Sequence, residues 1–76
     1  MGYGICPLSI IPLRLEPSHR SEQVSQLLFG ETFTVIEHQH DWLKIRLSLD
    51  DYEGWIQRSQ GYELSLVEYN ELQKSR

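Results

Sequence analysis

The sequence predicts an all-β fold, a small barrel of five or six strands with a short carboxy-terminal helix. Three observations predict it: apolar and polar residues alternate over short runs, turn-forming clusters separate those runs, and no helical period appears before residue 64. A chain of 76 residues has room for one domain, in the size range where a single core is barely sufficient without staples.

The first element is an extended segment from Gly4 to Leu15. Pro7 and Pro12 cannot donate to a ladder, which suits edge or irregular strands. The polar stretch Glu16-Pro-Ser-His-Arg-Ser-Glu22 has turn chemistry. It reads as a long loop returning into a short strand around Val24 and Leu27-Leu-Phe29. After Gly30-Glu31, the run Thr32 to Glu37 sets Phe33 and Val35 on one face by the period of two. Gln39, His40 and Asp41 form a polar turn. Beyond it Leu43, Ile45 and Leu47 alternate with Trp42, Lys44 and Arg46, so the two strands read as a hairpin. Leu49-Asp-Asp51 supplies another turn, and Tyr52-Glu-Gly-Trp-Ile56 a further strand. Gly54 has no side chain to pack, which lets another chain cross closely there. The predicted core is Leu13, Phe33, Val35, Leu43, Ile45 and Ile56.

The tail differs. Ser65-Leu-Val-Glu68 fits a capping box, which starts a helix of two or three turns. Its apolar stripe is Leu66, Tyr69 and Leu72, with Val67 beside it, and Lys74 and Arg76 suit the negative end of the helix dipole. The domain division is therefore residues 1–64 as barrel and 65–76 as helix or the start of a linker.

Composition narrows the function classes. Hydrophobic residues make up 39% and charged residues 24%, which fits a folded globular protein and not a disordered one. The formal charge of −4 is scattered in both signs, so nucleic acid is not an expected partner: phosphates would be repelled and no basic stripe accompanies the aromatics. One cysteine excludes an internal disulfide and a four-thiolate zinc site. No apolar run approaches the length of a membrane span. Residues 1 to 8 carry no base, so no secretory signal is read and the expected location is the cytoplasm; a signal lost from the start would make it the periplasm. Met1-Gly2 lacks the Ser or Thr at position 6 that myristoylation wants.

The strand residues carry a resemblance. Val35-Ile-Glu, Trp42-Leu-Lys-Ile-Arg and Gly54-Trp-Ile resemble the bacterial SH3 pattern of a hairpin followed by a Gly-aromatic-aliphatic strand. The longer series Gly4-Ile-Cys-Pro-Leu-Ser, Pro12-Leu-Arg-Leu-Glu-Pro-Ser, Arg20-Ser-Glu, Gln26-Leu-Leu-Phe-Gly-Glu and Tyr52-Glu-Gly-Trp-Ile is similar to the amino-terminal SH3 domain of NlpC/P60 cysteine peptidases from Bacteroidetes. It covers about residues 3 to 60. The resemblance implies an SH3-like barrel that works beside a papain-like domain cutting between D-glutamate and a diamino acid in cell-wall stem peptides. The implied partners are that catalytic domain in cis and the murein peptide, without nucleic acid or membrane. The family's catalytic cysteine and histidines lie in the second domain, which nothing in these residues matches, so no activity carries over. The alternative is a free-standing adaptor binding peptide or protein.

Individual residues sharpen this. Cys6 lacks a partnering base and reads as a buried strand residue, not a nucleophile. His38, His40 and Asp41 are the best metal candidates, but they fall in a polar turn; no metal or other cofactor is expected. His19 stands alone in a loop. The binding residues singled out are the aromatics Trp42, Tyr52 and Trp55, able to line a groove, with Trp42 on the face opposite the core triplet. Glu16 and Glu22 join them because they could present carboxylates to the free amine of a stem peptide. Prolines 7, 12 and 17 are spaced five apart, which does not make a polyproline ligand. The opening and the proline that eukaryotic SH3 domains use for polyproline binding are both absent.

Overall fold

A computed structural model describes residues 2–74. Seven strands form one sheet: β1 (Gly2–Ile5), β2 (Ile10–Arg14), β3 (Gln23–Leu28), β4 (Thr32–Gln39), β5 (Trp42–Leu47), β6 (Glu53–Gln57) and β7 (Tyr62–Leu64). A 3-10 turn at Arg58–Gln60 precedes β7, and helix α1 spans Leu66–Lys74. The spatial order is β3-β2-β6-β5-β4-β1-β7, with every pairing antiparallel. The small all-β class is as expected, but five or six strands become seven. The opening segment breaks at Cys6–Ser9 into two strands, and Tyr62–Leu64 adds one more, paired with β1.

Alternation decides what is inside. Phe33↔Leu47 and Val35↔Ile45 pair across β4 and β5 with all four side chains buried, and Leu43 and Ile56 pair across β5 and β6. With Cys6, Ile11, Leu13 and Leu27 these form one cluster containing all six predicted core residues. A bulge at Ile36 interrupts the alternation that would turn Glu37 inward, so Glu37 meets Lys44 on the outer face. His40 closes the two-residue β4–β5 turn at φ 55.

Two close approaches need glycine. A Cβ on Gly4 would enter the Phe33 ring across the β1–β4 pair. One on Gly54 would lie 2.5 Å from Leu13 Cγ and 3.0 Å from the Arg14 carbonyl. Gly54 therefore marks the crossing the sequence pointed to, where β2 meets β6 through Arg14↔Trp55. Pro12 lies on the stretch of β2 that pairs with β3 but not with β6, where a missing donor is tolerated.

The capping box is present: the Glu68 amide donates to Ser65 Oγ at 3.1 Å, and the Ser65 amide to Glu68 Oε1 at 2.9 Å. The apolar stripe is only partly used. Tyr69 and Leu72 are half-buried, whereas Leu66 and Val67 are exposed. The helix docks instead through Tyr69, stacked on Tyr3 with centroids 4.1 Å apart, and through Gln73, which donates to Thr32 Oγ1 at 3.2 Å. Lys74 occupies the last turn; Arg76 lies outside the described residues. Among the described residues no helix is long and apolar enough to cross a membrane.

Candidate functional site

The outer face of β5 and β6 carries Trp42, Lys44 and Arg46 opposite Gln57, Trp55 and Glu53. These are the positions that alternation turns away from Leu43, Ile45 and Ile56. Arg46 Nε contacts Glu53 Oε2 at 3.2 Å, an exposed pair that contributes little. Lys44 and Arg14 flank Trp55 from the two neighbouring strands. Long cationic side chains bury their stems against apolar surface, and Trp55 is 7% exposed.

The β2–β3 loop, residues 15–22, folds toward this face and braces itself. The Leu15 amide donates to the Glu22 carbonyl, the Glu16 amide to Ser21 Oγ at 2.8 Å, and the Ser18 amide to the Glu16 carbonyl. Arg14 ties the loop to the sheet by donating from Nη1 to the Ser21 carbonyl at 3.0 Å. His19 then reaches the aromatic face: its ring meets Trp42 edge-on at 5.1 Å, and its Nε2 lies 3.1 Å from Gln57 Nε2. Gln57 is held in turn, its amide donating to Gln60 Oε1 at 3.3 Å. One site thus joins a loop, the start of β5 and the end of β6.

The singled-out residues divide. Trp42 is half-buried on the outer face, as alternation required. Trp55 shares that face but is buried, so it is not a surface available to a ligand. Tyr52 does not join them. It has the parity of Gly54 and Ile56, and its carbonyl accepts from the Leu47 amide, five residues along β5 from Trp42 or about 16 Å. The three aromatics therefore do not line one groove. Glu16 and Glu22 are exposed at the two ends of the loop. His19, passed over as a lone loop histidine, is the residue that couples loop to sheet; only its long-range contacts reveal it.

Cys6 is 1% exposed within the core cluster, with Sγ 3.2 Å from the Leu8 carbonyl. Burial pushes its thiol above the ordinary value; a backbone hydrogen bond at Leu8 opposes this, and the Glu31 carboxylate adds to it. A thiol held protonated is a poor nucleophile. His38 lies on β4 and His40 in the turn, and no group of three metal-ligating side chains comes together among the described residues.

No curated protein matches the chain. Residues 13–60 match the family model described as the bacterial dipeptidyl-peptidase Sh3 domain. The matched segment runs from β2 through the 3-10 turn, taking in the loop, both tryptophans, Gly54 and the core hairpin. Since it covers more than half of a chain folded as a small antiparallel barrel, this protein belongs to the bacterial dipeptidyl-peptidase SH3 domain family.

Proposed function

We propose that the chain is a non-catalytic module that orients, and partly encloses, the active site of an NlpC/P60-type peptidase acting on peptidoglycan stem peptides recycled in the cytoplasm. The family match over residues 13–60 carries this reading, because the matched family is named for a peptidase. The chemistry of the chain supports it. Its one thiol is buried and held protonated, while the braced loop bearing Glu16 and Glu22 is a firm wall with two carboxylates for a cationic peptide amine.

The test compares an NlpC/P60 catalytic domain alone and with this chain joined to its amino terminus, using an L-Ala-γ-D-Glu-diamino-acid peptide. An enclosing module lowers KM at least threefold, and Glu16→Gln with Glu22→Gln reverses part of that gain. Equal kcat/KM with and without the module refutes the proposal and favours a free-standing adaptor.

A further inference from the structure

The loop 15–22 is held differently at its base and at its tip. The base is bonded three times over, Leu15 to Glu22, Glu16 to Ser21, and Arg14 Nη1 to the Ser21 carbonyl. The tip, residues 17–20, bonds mostly to its own loop: the Ser18 amide to the Glu16 carbonyl, the Arg20 amide to Ser18 Oγ and the Ser21 amide to the Ser18 carbonyl. Among the described residues its hydrogen bond to the sheet is the one between His19 and Gln57. The His19 side chain is otherwise exposed and lies edge-on to the half-buried Trp42. Releasing this one contact frees the tip and uncovers Trp42 while the base stays fixed.

The chemistry of that contact depends on a proton. His19 Nε2 and Gln57 Nε2 face each other at 3.1 Å, and a carboxamide nitrogen only donates. Gln57 is held in that orientation from the other side. It caps the 3-10 turn in a reciprocal box, its side-chain oxygen taking the Gln60 amide while Gln60 Oε1 takes the Gln57 amide at 3.3 Å. Its NH2 group is what remains for His19, so His19 Nε2 accepts. An imidazole that accepts at Nε2 is neutral and carries its proton on Nδ1. A second proton turns the acceptor into a donor, and N–H then opposes N–H. Gln57 answers this by turning its oxygen over only at the cost of the Gln60 amide. The edge-on contact with Trp42 is open to both charge states, since an indole ring also attracts a cation; the proton is sensed at Gln57. The charged and titratable groups around the site are of both signs: Glu16, Arg20 and Glu22 in the same loop, Arg14 on β2, His40 and Asp41 in the β4–β5 turn, Lys44 on β5 and Arg58 after β6. Among the described residues no carboxylate forms an ion pair with His19 that would hold the imidazolium in place.

We infer that His19 and Gln57 form a proton-sensitive latch, closed over Trp42 while the imidazole is neutral and released when it is protonated. The inference concerns the chain by itself and stands apart from the function proposed above. The test follows the isotope-labelled chain by NMR between about pH 8 and about pH 5, the span in which histidine changes charge. At the upper pH the imidazole nitrogen shifts of His19 are expected to report the Nδ1–H form. On protonation of His19 the Trp42 indole signal should move, and backbone order parameters at residues 18–20 should drop from about 0.85 to below about 0.6. Those of β4 and β5 should not change. Gln57→Glu supplies an acceptor for the imidazolium and should keep the tip ordered at both pH values. An Nε2–H form at the upper pH overturns the inference, because Gln57 then does not donate. So does a tip that stays ordered once His19 is protonated, a Trp42 signal that follows the titration of His38 or His40 instead, or a Gln57→Glu tip released in acid like that of the natural chain.

Discussion

Gly54 shows how one missing atom sets the shape of the barrel. A methyl group there would press on Leu13 at 2.5 Å and on the Arg14 carbonyl at 3.0 Å, and the carbonyl belongs to a backbone that cannot turn aside. Gly54→Ala is expected to destabilise by about 1–3 kcal/mol, the usual cost of overpacking, read as a lower urea midpoint. A neutral result would mean that β2 can shift outward freely. Ile45, fully buried between Val35 and Gly54, has the opposite sensitivity: Ile45→Ala leaves a cavity and should cost about 2–4 kcal/mol. Cys6 adds a pH dependence. Folding raises its pKa, so nothing is lost while the thiol stays protonated in both states; the unfolded chain gains by ionising as the pH rises past about 8.5. Stability should therefore fall above that pH, and Cys6→Ser should flatten the fall.

At the scale of elements, α1 is attached more lightly than any neighbouring pair of strands. It buries no side chain fully and holds on by the Tyr3–Tyr69 stack, the contact of Tyr69 Oη with Ser48 Oγ at 3.3 Å and the Gln73 bond to Thr32. Removing residues 65–76 should leave the barrel folded, with amide protection in β4, β5 and β6 unchanged and a loss near the β1–β7 end. Global unfolding on truncation would make the helix part of the core. Ser65→Ala should fray the helix by about 1 kcal/mol, seen as faster exchange at Glu68 and Tyr69 alone. Elements whose signal is local were legible in the sequence: the β4–β5 hairpin from its alternation, the helix start from Ser65 and Glu68, the crossing from Gly54. β7 was not, because three residues between a 3-10 turn and a cap show no period. The exposure of Leu66 and Val67 was hidden for a related reason. A two-turn stripe does not say which of its residues will find the barrel.

For the whole molecule, what could not be read from the sequence is what two distant segments do together. Trp55 is buried although it pairs with Arg14 and Lys44 on the outer face of two neighbouring strands, and the cover on Trp42 comes from His19, more than twenty residues away. The groups that acyl transfer would need are likewise not assembled. A cysteine nucleophile requires an accessible thiolate and a base within hydrogen-bond reach. Here the thiol sits in the core beside Leu8 and Leu27, His19 is engaged with Trp42 and Gln57, and His38 and His40 lie on and beyond the far end of β4. The chain alone is accordingly expected to leave an L-Ala-γ-D-Glu-diamino-acid tripeptide intact over a day at neutral pH, followed by mass spectrometry. Cleavage that disappears with Cys6→Ser would mean that the core opens far enough to expose its thiol, and the structural role given to Cys6 would fall. Cleavage that survives the substitution would point to a contaminating peptidase, because no other thiol exists in the sequence.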